Sequence, residues 1–242
     1  MSEYPAYVIV STIWNGFFRY RRLRPVPQEL RTGASDAAPR TEVKEPTRDD
    51  VVAEMEHFGY FRIDAEREAA RGKRGHVVIL VLAKDGKYSH YSPDLKKLLE
   101  GVASERTTRE GLLDELIIVA EEEFFGRKLL LEAVKTYQQG SLDGPDPTGE
   151  TPLYNVYHYH VFSLVIPEHV EVPQHRIMTD KEAEDYYRRE RLTPQDLIVI
   201  FETDPPVIWI GGRAGQLVEV TRNSETAAKA TVARRVAKAP SA

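Results

Sequence analysis

Apolar residues recur along the chain at two different spacings, which predict a mixture of helices and strands. Within 47–58, four of them recur at helical spacing after a potential capping threonine: Val51, Val52, Met55 and Phe58. Residues 76–83 instead form an almost unbroken apolar run with several β-branched side chains. Such a run is typical of a buried strand, so the sequence predicts a helix followed by a strand.

A tight hairpin is predicted directly after this strand. Asp85 and Gly86 stand between the apolar run and residues 88–91. Asp-Gly favours a two-residue hairpin turn because both central positions of that turn need positive φ. We therefore expect residues 88–91 to return as a second strand.

The following segments alternate between helical and strand patterns. A helix is expected from Ser92-Pro93 to Gly101, a buried strand over 116–120 and a second helix over 127–137. The aromatic and β-branched content of 154–162 is typical of a further strand. Together these elements predict a sheet with helices packed on it.

A smaller set of helices and strands is predicted after residue 160. Thr179 and Glu182 have the spacing of a capping box and would open a helix. Asp204 and Pro205 would begin a short helical turn, since Asp is a favoured N-cap and Pro needs no amide partner at the first helical position. Two strand patterns complete this part, around a polar turn at 223–226: 217–221 and 230–236.

Composition narrows the chemistry open to the chain. Its 242 residues include no cysteine, so disulfides and thiolate metal sites are excluded. The net charge of −5 argues against a surface that binds nucleic acid over its whole extent and leaves only local basic patches for such contacts. No apolar run approaches the roughly 18 residues of a membrane-spanning helix. We expect no metal, no cofactor and no membrane partner.

Six short motifs stand in order over 169–236. They are HVEVPQH (169–175), MT followed by KE (178–182), DP (204–205), a glycine after WI (Gly211), GQLV (215–218) and SETA (224–227), the last flanked by Arg222 and Arg234. In this order and without gaps, they resemble the C-terminal assembly module of the fifth shared subunit of DNA-directed RNA polymerases. The archaeal counterpart in this family consists of the module alone, and some large DNA viruses carry a member. One such motif would be weak support, but six in register are specific.

Upstream the resemblance is looser but keeps the family's order. Residues 57–60 resemble the end of the first helix in the N-terminal jaw domain of eukaryotic-type members. The resemblance implies an α+β protein in which a helix-flanked sheet, the jaw, precedes a small α+β assembly module. Its predicted domains are a divergent extension at 1–45, a jaw at 46–160 that includes the polar insertion 139–152, and an assembly domain at 161–242.

The chain also departs from the family's pattern. Ala228 replaces a glycine after the SETA motif, and Ala233 replaces the tyrosine before Arg234. These departures indicate a divergent member, from a large DNA virus or a deep-branching eukaryote.

The resemblance implies a non-catalytic subunit of a multisubunit DNA-directed RNA polymerase. Its C-terminal module would dock on the largest subunit, among the other core subunits, and its jaw would lie beside downstream duplex DNA. All catalytic residues would belong to other subunits. A cellular member would act in the nucleus, and a viral member in the virion and the host cytoplasm or nucleus.

The resemblance implies an assembly or interface role for ten residues of this module: His169, Pro173, His175, Asp204, Pro205, Arg222, Ser224, Glu225, Thr226 and Arg234. Of these, Glu225 and Arg234 are the strongest candidates for contact with another subunit. Each of the ten also has a purely structural interpretation, because such a module needs helix caps and turn-forming side chains of its own.

Two other functions stay open. Asp64, Asp85 and Lys87 are the residue types of a metal-dependent nuclease, although Asp-Gly is also what a hairpin turn requires. Alternatively, the module could belong to a free transcription adaptor that binds regulators outside the polymerase. A subunit would co-purify stoichiometrically with two large catalytic chains, whereas an adaptor would co-purify in smaller amounts.

Three local patterns have more than one interpretation. Residues 17–24 interleave aromatic and basic side chains, which favours a nucleic-acid contact or a peripheral docking segment. The basic stretch from Thr221 onward favours an acidic partner or nucleic acid, or else a solvated strand edge. His158 and His160 fall on one face of the predicted strand, and strand alternation explains them without a metal, since zinc needs further ligands.

Overall fold

The computed structural model describes residues 5–26, 43–68, 74–104, 113–142, 153–224 and 228–239. The chain divides into two units, Met1–Leu164 and Val165–Ala242.

A five-stranded mixed sheet forms the centre of the first unit. Its strands, in spatial as well as chain order, are β1 (Leu23–Pro25), β2 (Tyr60–Glu68), β3 (Arg74–Leu82), β4 (Leu113–Ala120) and β5 (Leu153–His158). The pairs β1–β2 and β2–β3 are antiparallel, whereas β4 runs parallel to both β3 and β5.

Helices lie between these strands. They are α1 (Ala6–Thr12), a π-helical segment (Ile13–Phe17), α2 (Phe18–Arg21), α3 (Arg48–Phe58), α4 (Lys87–His90), α5 (Ser92–Ser104), α6 (Glu122–Phe125), α7 (Lys128–Leu142) and a 3-10 turn (Tyr159–Phe162). As predicted, Thr47 caps α3, where it forms a capping box with Asp50, and Gly59 ends the helix in the left-handed conformation.

The central strands β3 and β4 are buried on both faces of the sheet. Every residue from 77 to 82 is at most 1% exposed, so neither face of β3 meets solvent. Leu80 and its alternate neighbours pack against apolar side chains of α5 and α7, including Leu99 and Val134. The opposite face includes Ile79 and Ile117, and it needs a second cover because apolar side chains alternate across a strand.

The N-terminal helical segment provides that second cover. Helix α1 contacts β3, and Ile9, Ile13 and Phe17 are completely buried. Phe17 packs edge-on against Phe162 with ring centroids 5.0 Å apart. Phe17 and Phe18 therefore belong to the core and cannot stack on bases or on a partner, whereas Arg19, Arg22 and Arg24 are exposed.

A buried ion pair fixes this segment to the sheet. Arg21 Nη2 donates to Glu115 Oε1 at 2.6 Å, and the Glu115 side chain is 1% exposed. Arg67 and Asn155 also donate to the Glu115 carboxylate, at 2.6 and 2.7 Å. Burial by itself would lower the pKa of Arg21, but the charge and hydrogen bonds of Glu115 outweigh it and the pKa is raised. The pair is therefore ionised.

The hairpin predicted at Asp85-Gly86 is wrong. Residues 87–90 form the helical turn α4, in which Ser89 Oγ donates to the carbonyls of Lys84 and Gly86 at 2.7 and 2.6 Å. Neither edge of β3 is open to a returning strand, because β2 and β4 already flank it.

Several predicted ends also differ. Helix α5 continues through Gly101 to Ser104, and α7 extends to Leu142, inside the predicted linker. Strand β5 stops at His158, where the chain turns so that Tyr159 donates its hydroxyl to the Leu82 carbonyl at 2.6 Å. Val52 is 41% exposed although it shares the helical spacing of its apolar neighbours.

The second unit contains a four-stranded sheet with one helix on each face. Its strands are β6 (Gln174–Ile177), β7 (Val199–Phe201), β8 (Leu217–Ser224) and β9 (Ala228–Ala237), in the spatial order β6-β8-β9-β7. Only the β7–β9 pair is parallel. The helices are α8 (Asp180–Glu190) and α9 (Pro205–Ile210), and a 3-10 turn spans Ile166–Glu168.

Strand alternation assigns each helix to one face. Val207 of α9 packs with Ile200, Val218 and Val236 on the first face. On the second face, Leu217 packs with three side chains of α8: Ala183, Tyr186 and Tyr187. The predicted capping box of Thr179 and Glu182 opens α8, and the predicted pair of C-terminal strands is β8 and β9.

The first part of the HVEVPQH motif (169–175) is not a strand. Residues 169–172 form a turn in which Val172 donates its amide to the His169 carbonyl at 3.0 Å, and β6 begins only at Gln174. The α+β fold class is confirmed. The division into extension, jaw and assembly domains stays a prediction.

Replacing Arg21 by Met is expected to destabilise the chain by roughly 3 kcal/mol, because Glu115 would keep a buried charge with one partner fewer. The free energy of urea unfolding, followed by circular dichroism, measures this loss. Arg24→Met is the matched control, since Arg24 lies exposed on β1 and its loss should change stability by less than about 0.5 kcal/mol. Equal effects of the two substitutions would contradict the role of the buried pair.

Candidate docking face of the second unit

Three of the predicted interface residues lie on one face of the second sheet. His175 pairs with Val220, and Arg234 pairs with Val218, so both side chains share the face that α9 covers. Arg222 is two positions beyond Val220 and points the same way. The structure therefore brings His175, Arg222 and Arg234 to one surface.

Two exposed apolar residues belong to the same face. Val232 pairs with Val220 and is 40% exposed, and Ile198 stands two positions before Ile200 and is 68% exposed. The Ile198 carbonyl accepts the Arg235 amide at 3.0 Å, which places it beside Arg234 on the neighbouring strand. We name the part of this face beyond α9 the open face, defined by these residues: His175, Ile198, Arg222, Val232 and Arg234.

His175 lies half-buried at one side of the open face. Its Nδ1 donates to the Pro173 carbonyl at 2.7 Å, so Pro173 fixes the orientation of the ring. Burial lowers the pKa of His175, and the positive charge of Arg234 lowers it further against the opposing effects of that hydrogen bond and of Asp204. The imidazole is therefore neutral at neutral pH.

Asp204 stands at the N-cap of α9, but its carboxylate does not cap the helix. Pro205 and Pro206 fill the first two helical positions and have no N–H, and the Val207 amide donates to the Asp204 carbonyl at 2.8 Å. The carboxylate instead accepts the Phe201 amide at 3.0 Å. The expected side-chain cap was thus wrong, and Asp204 closes an outward amide of the edge strand β7.

Arg234 carries a polar atom that the folded chain leaves unsatisfied. Its Nε is buried, and no hydrogen-bond partner for it exists among the described residues. A buried donor without an acceptor costs about 1–3 kcal/mol. Arg222 is exposed and forms no ion pair within the same part of the structure.

On the opposite face, the side chain of Arg176 has carboxylate partners within the unit. Arg176 Nη1 donates to Glu182 at 2.9 Å, and Arg176 Nε donates to Glu219 at 3.3 Å. Hydrogen bonds from Arg176 and Thr179 lower the pKa of Glu182 to about 2. The charge of Arg176 is therefore balanced within the unit, unlike that of Arg234.

The remaining predicted interface residues lie away from the open face or cannot be placed. His169 is exposed in the turn before β6, where its Nδ1 accepts the Glu171 amide at 3.3 Å. Ser224 ends β8, but its side chain is outside the described part, as are Glu225 and Thr226.

Comparison with known proteins gives a consistent result. Residues 164–236 match the family described as RNA polymerase Rpb5, C-terminal domain. The chain is 35% identical over 180 residues, 74% of its length and 80% of the relative, to the DNA-directed RNA polymerase RPB5 homolog of African swine fever virus (isolate Tick/Malawi/Lil 20-1/1983). The chain belongs to the Rpb5 family of RNA polymerase subunits.

Archaeal relatives of this Rpb5-family chain match a shorter stretch. It is 34% identical over 64 residues to the DNA-directed RNA polymerase subunit Rpo5 of Nitrosopumilus maritimus, 26% of the chain and 77% of the relative. The chain is also 37% identical over 60 residues to Rpo5 of Thermococcus kodakarensis, a match that covers 25% of the chain and 73% of the relative. The viral match is longer than the second unit and therefore extends into the first, so the predicted resemblance to a divergent viral member is confirmed.

Ile198 and Val232 were not among the predicted interface residues. Period-two alternation places Val232 on the same face as Arg234, so the sequence contains half of the signal. Their exposure follows only from where α9 ends, which no local pattern reveals.

The histidine pair of this Rpb5-family chain does not lie on one strand. His158 ends β5 and stacks on Phe125 with ring centroids 3.5 Å apart, while His160 lies in the following 3-10 turn. Burial lowers the pKa of His158, and the nearby His160 lowers it further. In the ranges that the structure describes, no three His, Asp or Glu side chains are placed to hold a metal ion.

Asp64 has a structural environment rather than a catalytic one. It accepts from Arg62 Nε at 2.9 Å and lies 3.0 Å from His76 Nε2. Asp64 pairs with Val78 of β3. At the usual strand rise, the end of β3 at Leu82 lies about 13 Å beyond Val78, and Asp85 follows that end. Carboxylates that share one divalent ion each lie roughly 2–2.6 Å from it, so the nuclease interpretation is not favoured.

None of the helices that the structure describes is long and apolar enough to cross a bilayer.

Replacing Asp64 by Asn is expected to lower the free energy of unfolding by roughly 2 kcal/mol at neutral pH. Burial alone would raise the pKa of Asp64, but the hydrogen bonds from His76 and Arg62 outweigh it and lower the pKa from 3.8 to about 2. A carboxyl with a depressed pKa stabilises the fold above its unfolded pKa and loses this effect as pH falls from about 4 to 2. Urea unfolding of both proteins across this pH range measures the difference.

Asp85→Asn is the matched control, because Asp85 is exposed and its substitution should leave stability nearly unchanged at every pH. A difference between wild type and Asp64→Asn that persists undiminished at pH 2 would contradict the assignment.

Proposed function

We propose that this Rpb5-family chain docks through the open face of its second unit on the largest subunit of a DNA-directed RNA polymerase. The match over 180 residues to a viral RPB5 homolog carries this proposal, since it extends beyond the second unit into the first. Family membership makes the chain a non-catalytic subunit of such a polymerase, in a complex with other subunits. The identity of the subunit that it touches is part of the proposal.

We also propose that the first unit lies beside downstream duplex DNA. Exposed lysines on the contacting helices α5 and α7 support a peripheral contact: Lys96, Lys97, Lys128 and Lys135. Glu100 and Glu132 are exposed on the same helices, so the surface is mixed in charge. Such a surface favours weak contacts with phosphates rather than tight, salt-resistant binding.

The similarity to African swine fever virus proteins gives the chain a viral or host-cell setting. For a viral member, we propose the virion and the host cytoplasm or nucleus, and for a cellular member the nucleus.

A gentle pull-down of the tagged chain, analysed by mass spectrometry, tests the proposal. A polymerase subunit is expected to be recovered in stoichiometric amounts with two large catalytic chains. Substoichiometric recovery with regulators alone would instead support a free adaptor, and recovery of neither would overturn both.

Reversing both charges of the open face, with Arg222→Glu and Arg234→Glu, is expected to lower recovery in the polymerase at least tenfold. Truncating or reversing a desolvated charge at an interface typically costs more than the 1.4 kcal/mol that a tenfold change represents. Quantitative mass spectrometry of the purified complex measures this ratio.

Lys229→Glu is the control for this experiment. Lys229 is exposed on the same strand, but its odd position directs it to the opposite face, so recovery should remain near the wild-type value. Circular dichroism of each free chain checks that it is folded. Recovery of the double variant at the level of Lys229→Glu would count against the open face.

A further inference from the structure

The open face is basic and apolar, with no acidic residue of its own. The described strand positions on that face carry valine, isoleucine, alanine, histidine and arginine, and neither Asp nor Glu. Glu219 points to the opposite face, where Arg176 binds it. The Asp204 carboxylate accepts the Phe201 amide. Within the described part of this unit, the two arginines therefore have no carboxylate partner.

Arg234 lies between the two exposed apolar residues. Val232 precedes it by two positions on β9, and Ile198 lies beside it on the neighbouring strand. Its Nε is buried and lacks an acceptor, while Arg222 stands further along the face in solvent. Because Nε is closed to solvent, a ligand can reach the half-buried Arg234 guanidinium only at its Nη groups, between Ile198 and Val232.

We infer that the open face binds a protein segment in which an Asp or Glu lies next to an apolar side chain. Its carboxylate accepts from the two Nη groups of Arg234 side by side, which is an arrangement that the planar guanidinium offers. The apolar neighbour packs between Ile198 and Val232, and Arg222 meets a second acceptor at the exposed rim. This inference rests on the proposed function and specifies the chemistry of the partner segment.

The charges favour a protein over a nucleic acid at this face. Two arginines can neutralise about two phosphates, and the affinity gained from counterion release grows with the number of phosphates neutralised. Proteins that bind duplex DNA tightly neutralise roughly 6–10. A phosphate backbone would offer the exposed Ile198 and Val232 no apolar contact, whereas an apolar side chain removes them from water.

A photo-crosslinking residue in place of Val232 tests the inference within the assembled polymerase. After irradiation, the crosslinked peptide is identified by mass spectrometry. The expected product is a peptide of a polymerase subunit with an Asp or Glu within about four residues of the crosslink. A crosslink to nucleic acid, a peptide without such a carboxylate, or no crosslink in an assembled complex would each overturn the inference.

Arginine-to-lysine substitutions provide a second measurement. Lysine keeps the charge of Arg234 but cannot present two parallel donors to a carboxylate. Arg234→Lys is therefore expected to weaken incorporation into the polymerase about tenfold, while Arg222→Lys at the exposed rim changes it less than threefold. Equal tolerance of both substitutions would overturn the paired-donor arrangement at Arg234.

The proposed function and the inferred partner chemistry would fail in different ways. If the wild-type chain is not recovered with the large catalytic chains, the proposed function is wrong and the inference falls with it. If the chain is recovered but Val232 crosslinks to no acidic segment, the function stands and only the inferred partner chemistry is wrong.

Discussion

A helix of six residues cannot cover one face of a four-stranded sheet. Helix α9 is about 9 Å long at 1.5 Å per residue, whereas β9 alone extends over roughly 33 Å. Val207 and its neighbours therefore shield only one end of the first face, around Val218 and Val236. The rest of that face meets solvent unless another chain covers it. The length of α9, set by Asp204 at its start and Gly211 at its end, thus determines where a partner can bind.

The sheet of the first unit also needs cover on both faces, and residues of the same unit provide it. Strands β3 and β4 are apolar on both faces, and the helices α5 and α7 cover only one of them. The N-terminal helical segment covers the other face, and the buried pair of Arg21 and Glu115 holds it there. This unit therefore buries both faces of its central strands with its own residues, whereas the second unit leaves part of one face exposed. That contrast supports an interaction role for the second unit in particular.

Local sequence patterns correctly predicted the structural features that depend only on residues close together in the sequence. The cap at Thr47 and the capping box at Thr179 were predicted from the sequence, because a cap involves only residues about three positions apart. The hairpin at Asp85-Gly86 failed because the pairing of β3 with β4 depends on residues more than thirty positions away. The unbroken apolar run at 76–83 did indicate a strand buried on both faces, and it could have pointed to a second covering helix. His175, Arg222 and Arg234 were predicted from the family resemblance, but the exposure of Ile198 and Val232 depends on tertiary structure.

Arg176 and Arg234 lie on opposite faces of one sheet and have opposite effects on the stability of the second unit. Arg176 donates to Glu182 and Glu219, so its interactions contribute to the unit that contains it. Arg234 keeps a buried Nε without an acceptor, which lowers the stability of the isolated unit instead of raising it. A partner carboxylate would pair with the Nη groups of Arg234, and the accompanying loss of water would strengthen this charge pair. Docking would therefore gain from a charge that no carboxylate in the described part of the unit balances.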